Sequence, residues 1–303
     1  MSVKHFRSAK PLAPGARVAL IAPAGPLQKN EELPRALDNA RTFGWEPVVG
    51  QNAQSRLGYL AGDDRARLED INRALQDPTI DALWCLRGGY GMIRILDGID
   101  YHALETNPKP IVGYSDITAF HAAVQRKCWL VSYHGPTARE AMTPFSRDSL
   151  ERAVVAQTDS CGKAAKARTL AGGKTEGRLA GGNLAVLASL CGTAYAPDLT
   201  DSILILEDIN EPVYRLDRLL QQLKLSGMLR GCKAIAFGEC VKCDDGSGRS
   251  LDDVLGEIVD DLRIPCIVGI PVGHIAEQWT IPLGAMATLD ADACTLNVAP
   301  FAS

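Results

Sequence analysis

The sequence predicts an α/β protein whose first half is a doubly wound parallel sheet. Two observations carry this. From Arg17 onward, short β-branched or apolar runs alternate with helical patterns, and such an alternation builds parallel strands joined by crossover helices. The chain also has 303 residues, more than the ~100–200 typical of one domain, so a second domain is expected.

In the first half, strands are expected at 18–22, 46–49, 82–85, 110–113 and 130–133, with helices near 31–43, 64–76, 90–96 and 116–126. In open parallel sheets, sites form beyond the carboxyl ends of the strands, which places Pro23, Arg87, Ser115 and His134 on the functional edge. Over 144–175 the pattern weakens into small and basic residues, Cys161-Gly162-Lys163-Ala164-Ala165-Lys166-Ala167-Arg168 and then Gly172-Gly173-Lys174, the expected linker. The chain therefore divides into 1–143, the linker 144–175, and 176–303. The last part carries helices near 183–190, 213–225 and 251–262 and strands at 202–206, 234–237 and 287–290. It is mixed α and β, with more Gly and Pro turns and a less regular alternation.

Composition narrows the partners. Hydrophobic residues make up 46%, charged residues 22%, and the net charge is −4, so no basic surplus points to nucleic acid. Met1-Ser2-Val3-Lys4-His5-Phe6-Arg7 contains no apolar run, and no stretch approaches the ~18 apolar residues of a membrane span. A cytoplasmic chain without a membrane partner is the expectation. Nine cysteines at irregular spacing suit reduced thiols better than a disulfide framework. Cys240-Val241-Lys242-Cys243 has metal or redox spacing, but no second pair completes a zinc site, and incidental thiols are the preferred reading.

Two cofactor motifs fail. Gly173-Lys174-Thr175 imitates the end of a phosphate-binding loop, yet Arg168 stands where its first glycine is required. Gly88-Gly89-Tyr90-Gly91 resembles a dinucleotide fingerprint, but it follows the third strand and Arg94 occupies the last glycine position. No cofactor and no metal are expected. The glycine turn still frees backbone N–H groups for an anion or a developing oxyanion.

Pro110-Ile111-Val112-Gly113-Tyr114-Ser115-Asp116-Ile117-Thr118-Ala119-Phe120 reads as buried strand, sharp turn and helix, the setting of a nucleophile elbow. The usual five-residue form ends in Gly, where this chain has Ile117, and a serine capping the following helix is the alternative. A serine hydroxyl needs a base, and the base an orienting acid. Of the five histidines, His5 lies in the terminal segment, His102 in a polar loop and His121 on the helix after Ser115. His134, at the end of its strand, and His274, in the turn Gly269-Ile270-Pro271-Val272-Gly273-His274, remain, with His274 preferred. Ser202-Ile203-Leu204-Ile205-Leu206-Glu207-Asp208 ends an apolar strand in carboxylates. Glu207 is the candidate acid, and Asp208, Asn210 and Glu211 are read as caps or first-turn acids of the next helix.

Three segments together resemble the LD-carboxypeptidase family of serine peptidases, clan S66. They are Cys85-Leu86-Arg87-Gly88-Gly89-Tyr90-Gly91 with Gly113-Tyr114-Ser115-Asp116-Ile117-Thr118, Leu206-Glu207-Asp208 with Tyr214-Arg215-Leu216-Asp217-Arg218, and the turn ending in His274. The resemblance implies a Rossmann-like, flavodoxin-like N-terminal domain carrying Ser115 as nucleophile. It also implies a smaller β-rich α/β C-terminal domain carrying Glu207 and His274 as acid and base. The implied activity is that of a muramoyltetrapeptide carboxypeptidase, releasing D-alanine from murein tetrapeptides in cytoplasmic peptidoglycan recycling. The alternatives are a related peptidase acting on a peptide–nucleotide conjugate or other acylated small molecule, and a non-catalytic binding module. Backbone N–H groups of Gly89 and Asp116 are the oxyanion-hole candidates. Arg87, Arg178 and Arg215 are the candidates for holding the substrate's terminal carboxylate. A cleft between two halves is often braced by a second subunit, so a homodimer is a further expectation.

Overall fold

The computed structural model describes residues 6–244, 246 and 248–301; His5 lies outside them. The first sheet is built from β1 (Arg17–Ile21), α1 (Glu32–Thr42), β2 (Glu46–Val49), α2 (Asp64–Gln76), β3 (Ala82–Cys85), α3 (Tyr101–Thr106), β4 (Ile111–Gly113), α4 (Thr118–Cys128) and β5 (Ser132–His134). Its five strands are parallel in the order β2-β1-β3-β4-β5, the flavodoxin-like order whose switch point lies between β1 and β3. Helices cover both faces, and each face carries its own buried apolar cluster. All four residues of β3 are buried, which is why these strands read as continuous apolar runs.

The expected helix at 90–96 begins later, as a 3₁₀ turn over Met92–Gly98. Gly89 and Gly91 have φ of 106° and 125°, left-handed conformations that cannot belong to a right-handed helix. The helix expected from 116 likewise opens with a 3₁₀ turn, Ser115–Ile117, and α4 proper starts at Thr118.

The stretch expected as a linker is folded. It holds α5 (Pro144–Glu151), a π-helical turn over Arg152–Ala156, β6 (Gly162–Lys163) and β7 (Arg168–Ala171). Thr143 caps α5 by accepting from the Ser146 N–H, and proline stands in the first turn. Leu150, Ala153 and Val154 enter the core of the first domain, whereas β6 and β7 join the second sheet.

The rest of the chain adds β8 (Lys174–Asn183), α6 (Leu184–Ser189), β9 (Ser202–Ile209), α7 (Val213–Leu225), β10 (Ala234–Val241), α8 (Leu251–Leu262), β11 (Cys266–Val268), β12 (Ile281–Leu283), β13 (Met286–Asp290) and β14 (Thr295–Val298), and all of these strands but β12 join the second sheet. Its order is β6-β14-β13-β8-β9-β10-β11-β7, parallel across β8 to β11 and antiparallel outside them. β12 belongs to the other sheet: it pairs antiparallel with β5, Ile281 opposite His134. The second domain thus supplies the edge strand of the first.

The cysteine reading needs one correction. A disulfide joins Cys240 and Cys243, because the chain turns at Lys242 with φ 59° as it leaves β10. The other seven cysteines are free. Among the described residues, no group of three or more His, Cys, Asp or Glu side chains is placed to hold a metal ion, and no helix is long and apolar enough to cross a membrane.

Candidate active site

Ser115 follows β4 after one residue, Tyr114, and sits at φ 64°. A left-handed conformation costs a non-glycine residue about 1–2 kcal/mol, and strain of this kind lifts the hydroxyl clear of the sheet as in a nucleophile elbow. The neighbouring turn is fitted to it: a Cβ on Gly88 would lie 2.7 Å from Ser115 Cβ and 3.0 Å from its Oγ. Gly88→Ala is therefore expected to lower kcat by about 10²-fold through misplacement of the hydroxyl, as measured by steady-state kinetics on folded protein.

Glu207 lies in β9, fully buried, and His274 lies in the loop after β11. The His274 Nδ1–H donates to Glu207 Oε2 at 2.9 Å, and the Ser115 hydroxyl donates to His274 Nε2 at 3.2 Å. Burial alone would depress the His274 pKa. The hydrogen bond and charge of Glu207, backed by Glu140 and Asp208, outweigh it and leave the imidazole above its ordinary value of 6.5. Three groups far apart in sequence thus form one hydrogen-bonded chain, Ser115 to His274 to Glu207.

The join between the domains sets this geometry. Asn183 pairs with Glu207 in the β8–β9 register, and its backbone N–H donates to Thr118 Oγ1 at 2.9 Å. A Cβ on Gly182 would meet that same Oγ1 at 2.5 Å, so the glycine lets the end of β8 press against the first turn of α4. Glu207 and Ser115 are held in relation through a strand pair and one hydroxyl. Asp208 accepts from Asn183 Nδ2 and from the Ala185 N–H, so it caps α6 rather than starting α7 as the sequence suggested.

The oxyanion candidates come from the glycine turn after β3 and from the turn after β4. Gly89 is on the turn that Gly88 packs against Ser115, and its N–H meets no acceptor among the described residues. The Asp116 carboxylate, buried, accepts from the Met92 N–H at 2.8 Å. Desolvation lifts its pKa to about 6, against the pull of the Met92 hydrogen bond, the Arg67 charge and the Gly91 N–H. Asp116 thereby ties the glycine turn to the elbow.

His134, the alternative base, is fully buried, and neither ring nitrogen has a partner among the described residues. Burial, followed by the charges of His121 and His274, brings its pKa to about 3. The His121 Nε2–H donates to Gly113 O at 2.8 Å.

Two further side chains at the site carried no sequence signal. Tyr114 places its ring 4.9 Å from that of His274 and hydrogen-bonds Glu140. Glu140 also accepts from Thr137 and Gln278.

The three arginine candidates fall in different places. Arg87 adjoins the glycine turn and donates to Pro26 O. Arg215 pairs with Glu211 across one helical turn. Arg178 sits opposite Ser202 in the register that sets Asn183 opposite Glu207, about 16 Å along the strand from Asn183 at ~3.3 Å per residue. Its guanidinium covers the Phe6 ring and donates to Asp198 O. Arg178→Ala is accordingly expected to leave turnover within about twofold while lowering thermal stability, which a melting curve beside a rate measurement checks.

The chain is similar to known proteins along most of its length. Residues 18–135 match the LD-carboxypeptidase N-terminal domain of peptidase family S66, and residues 176–289 match its C-terminal domain. The murein tetrapeptide carboxypeptidase of Pseudomonas aeruginosa is 36% identical, over 90% of this chain and 93% of its own. The crystal structure of muramoyltetrapeptide carboxypeptidase from Oxalobacter formigenes superposes with a TM-score of 0.84 at 30% identity, covering 95% of this chain and all of the other. The microcin C7 self-immunity protein MccF of Escherichia coli, in complex with aspartyl sulfamoyl adenosine, gives 0.89 at 25% identity, covering 97% and 99%. With both family domains matched in order on a two-domain α/β fold, the chain belongs to the S66 LD-carboxypeptidase family and is a serine carboxypeptidase.

Proposed function

We propose that this enzyme releases the terminal D-alanine from murein tetrapeptides, cutting the amide between an L-centre and a D-residue during cytoplasmic peptidoglycan recycling. The observation that carries the reading is His274, hydrogen-bonded at once to Ser115 and Glu207. Ser115 Oγ attacks the scissile carbonyl while His274 Nε2 takes its proton, and Glu207 stabilises the imidazolium that forms. The N–H groups of Asp116 and Gly89 receive the oxyanion, each such donor contributing about 3–4 kcal/mol to the transition state. Collapse breaks the amide, His274 passes its proton to the departing amine, and water then repeats the sequence on the acyl-enzyme. Arg87, beside the glycine turn, meets the terminal carboxylate.

A second reading rests on the fold likeness to MccF: cleavage of a peptide–nucleotide conjugate by the same three residues. The higher identity to the murein enzyme, 36% against 27%, favours the first. Incubation with a murein tetrapeptide and, separately, with a peptidyl adenylate distinguishes them by mass spectrometry of the products. Release of D-alanine from the tetrapeptide alone supports the proposal; cleavage of the conjugate alone replaces it with the second reading.

A further inference from the structure

Arg87 is half-buried and is held by neutral acceptors. Its Nη1 donates to Pro26 O at 2.6 Å. With the Gln28 amide turned so that its oxygen faces the guanidinium, Gln28 accepts from Nη1 and Nη2 at 3.2 and 2.8 Å. Among the described residues it makes no ion pair within 4.0 Å. It lies against the glycine turn, 3.3 Å from where a Cβ on Gly25 would stand. A partly desolvated cation oriented by neutral groups has no directly bonded counter-charge.

Arg139 is the second cation there. Its Nη1 donates to Glu32 Oε1 at 2.6 Å, and its Nε is buried without a partner among the described residues. Glu32 is already committed: its other oxygen accepts from the Gln28 and Lys29 N–H groups at 2.6 and 3.2 Å. Arg87 is held below its usual pKa by burial first and then by the charge of Arg139, with Arg56 adding to it and Glu32 opposing. Two carboxyl groups lie near the arginines and both are committed: Glu32 as above, and the buried Glu140, close enough to Arg139 to feel its charge, to Thr137, Tyr114 and Gln278. Guanidinium forks match a carboxylate in shape as well as in charge.

Resting on the peptidase reading above, we propose that Arg87 and Arg139 together bind the terminal carboxylate of the substrate, with Glu32 as the residue that positions Arg139, and so restrict the enzyme to the last residue of a peptide. Binding is separable from turnover in the Ser115→Ala protein. Calorimetric titration of it with a tetrapeptide ending in D-alanine and with the same peptide ending in D-alaninamide is expected to favour the acid by about 10–100-fold, the scale of a charge-assisted paired hydrogen bond. Adding Arg139→Ala, or Arg139→Lys if the alanine variant folds poorly, should erase that preference while leaving amide binding within about threefold. Glu32→Gln should weaken the preference in the same direction. No preference in the parent, or one that survives the Arg139 change, overturns the proposal. Displacement of the peptide by inorganic phosphate but not by acetate overturns it too, assigning the arginines to a phosphate-bearing ligand. Failure of the peptidase reading shows separately, as wild-type enzyme that prefers the acid in binding yet releases no D-alanine.

Discussion

Ser115→Ala is expected to reduce D-alanine release by about 10⁶-fold, the loss seen when the nucleophile of a serine hydrolase is removed. The substitution deletes one oxygen. It retains the Cβ that Gly88 packs against and leaves the φ of 64° no easier and no harder to hold, since alanine and serine share the same left-handed penalty. The melting temperature should therefore stay within a few degrees of the parent. Residual turnover reflects binding and the oxyanion donors, which the variant keeps. If Ser115 only capped its helix, activity would survive and the change would register in stability instead, by about 1 kcal/mol. Kinetics and a thermal melt on the same preparation separate the two roles.

Glu207→Gln is expected to lower kcat by about 10⁴-fold, because an amide in place of the orienting acid favours the wrong imidazole tautomer. The present geometry gives that loss a pH signature. His274 stands above 6.5 because Glu207 outweighs the cost of burying the ring. As pH falls through the His274 pKa, the base is protonated and kcat/KM drops, so the acid limb of the wild-type profile lies above 6.5. Without the Glu207 charge only desolvation and the weaker, more distant charges remain, and the limb should move down. Activity that falls with an unmoved limb points to another group as the titrating base. Glu207 Oε1 is itself buried without a partner among the described residues, and an amide leaves one polar atom equally unpaired there, so the melting temperature of the variant should stay within a few degrees of the parent.

The parts of the fold that were legible in the sequence are those where one local signal dominates. The apolar runs of β1, β3 and β4 and the helical periodicity of α1, α2 and α4 owe their pattern to burial, and, like β2 and β5, they fall within a residue or two of the expected spans. β8 was hidden because Gly177, Gly181 and Gly182 remove the branched side chains that mark strands, and those glycines are present for close approach to β9 and to Thr118. β12 was hidden because a three-residue strand that pairs across domains leaves no local periodicity. The folded nature of 144–175 was missed for a related reason: its strands borrow their partners from β11 and β14.

The site divides the same way. Ser115, Glu207 and His274 stand at the ends of readable strands or in a Gly/Pro turn, and strand ends on one edge are where chemistry collects. Tyr114, Glu140, Arg139 and the carboxylate of Asp116 act through contacts between segments distant in sequence, and nothing in their local sequence announces those contacts. Arg178 illustrates the converse. It lies on the strand whose end reaches the site, yet the register sets it opposite Ser202 while Asn183 faces Glu207, and the spacing of strand residues alone does not show which end faces the site.

On this reading Ser115 and His274, brought from two domains, act as one unit. D-alanine release from murein tetrapeptide by Ser115→Ala, His274→Ala and the double variant measures that coupling. A unit that needs both members loses everything with the first, so the double variant is expected to be no slower than either single one. Rate losses that multiply in the double variant would contradict it.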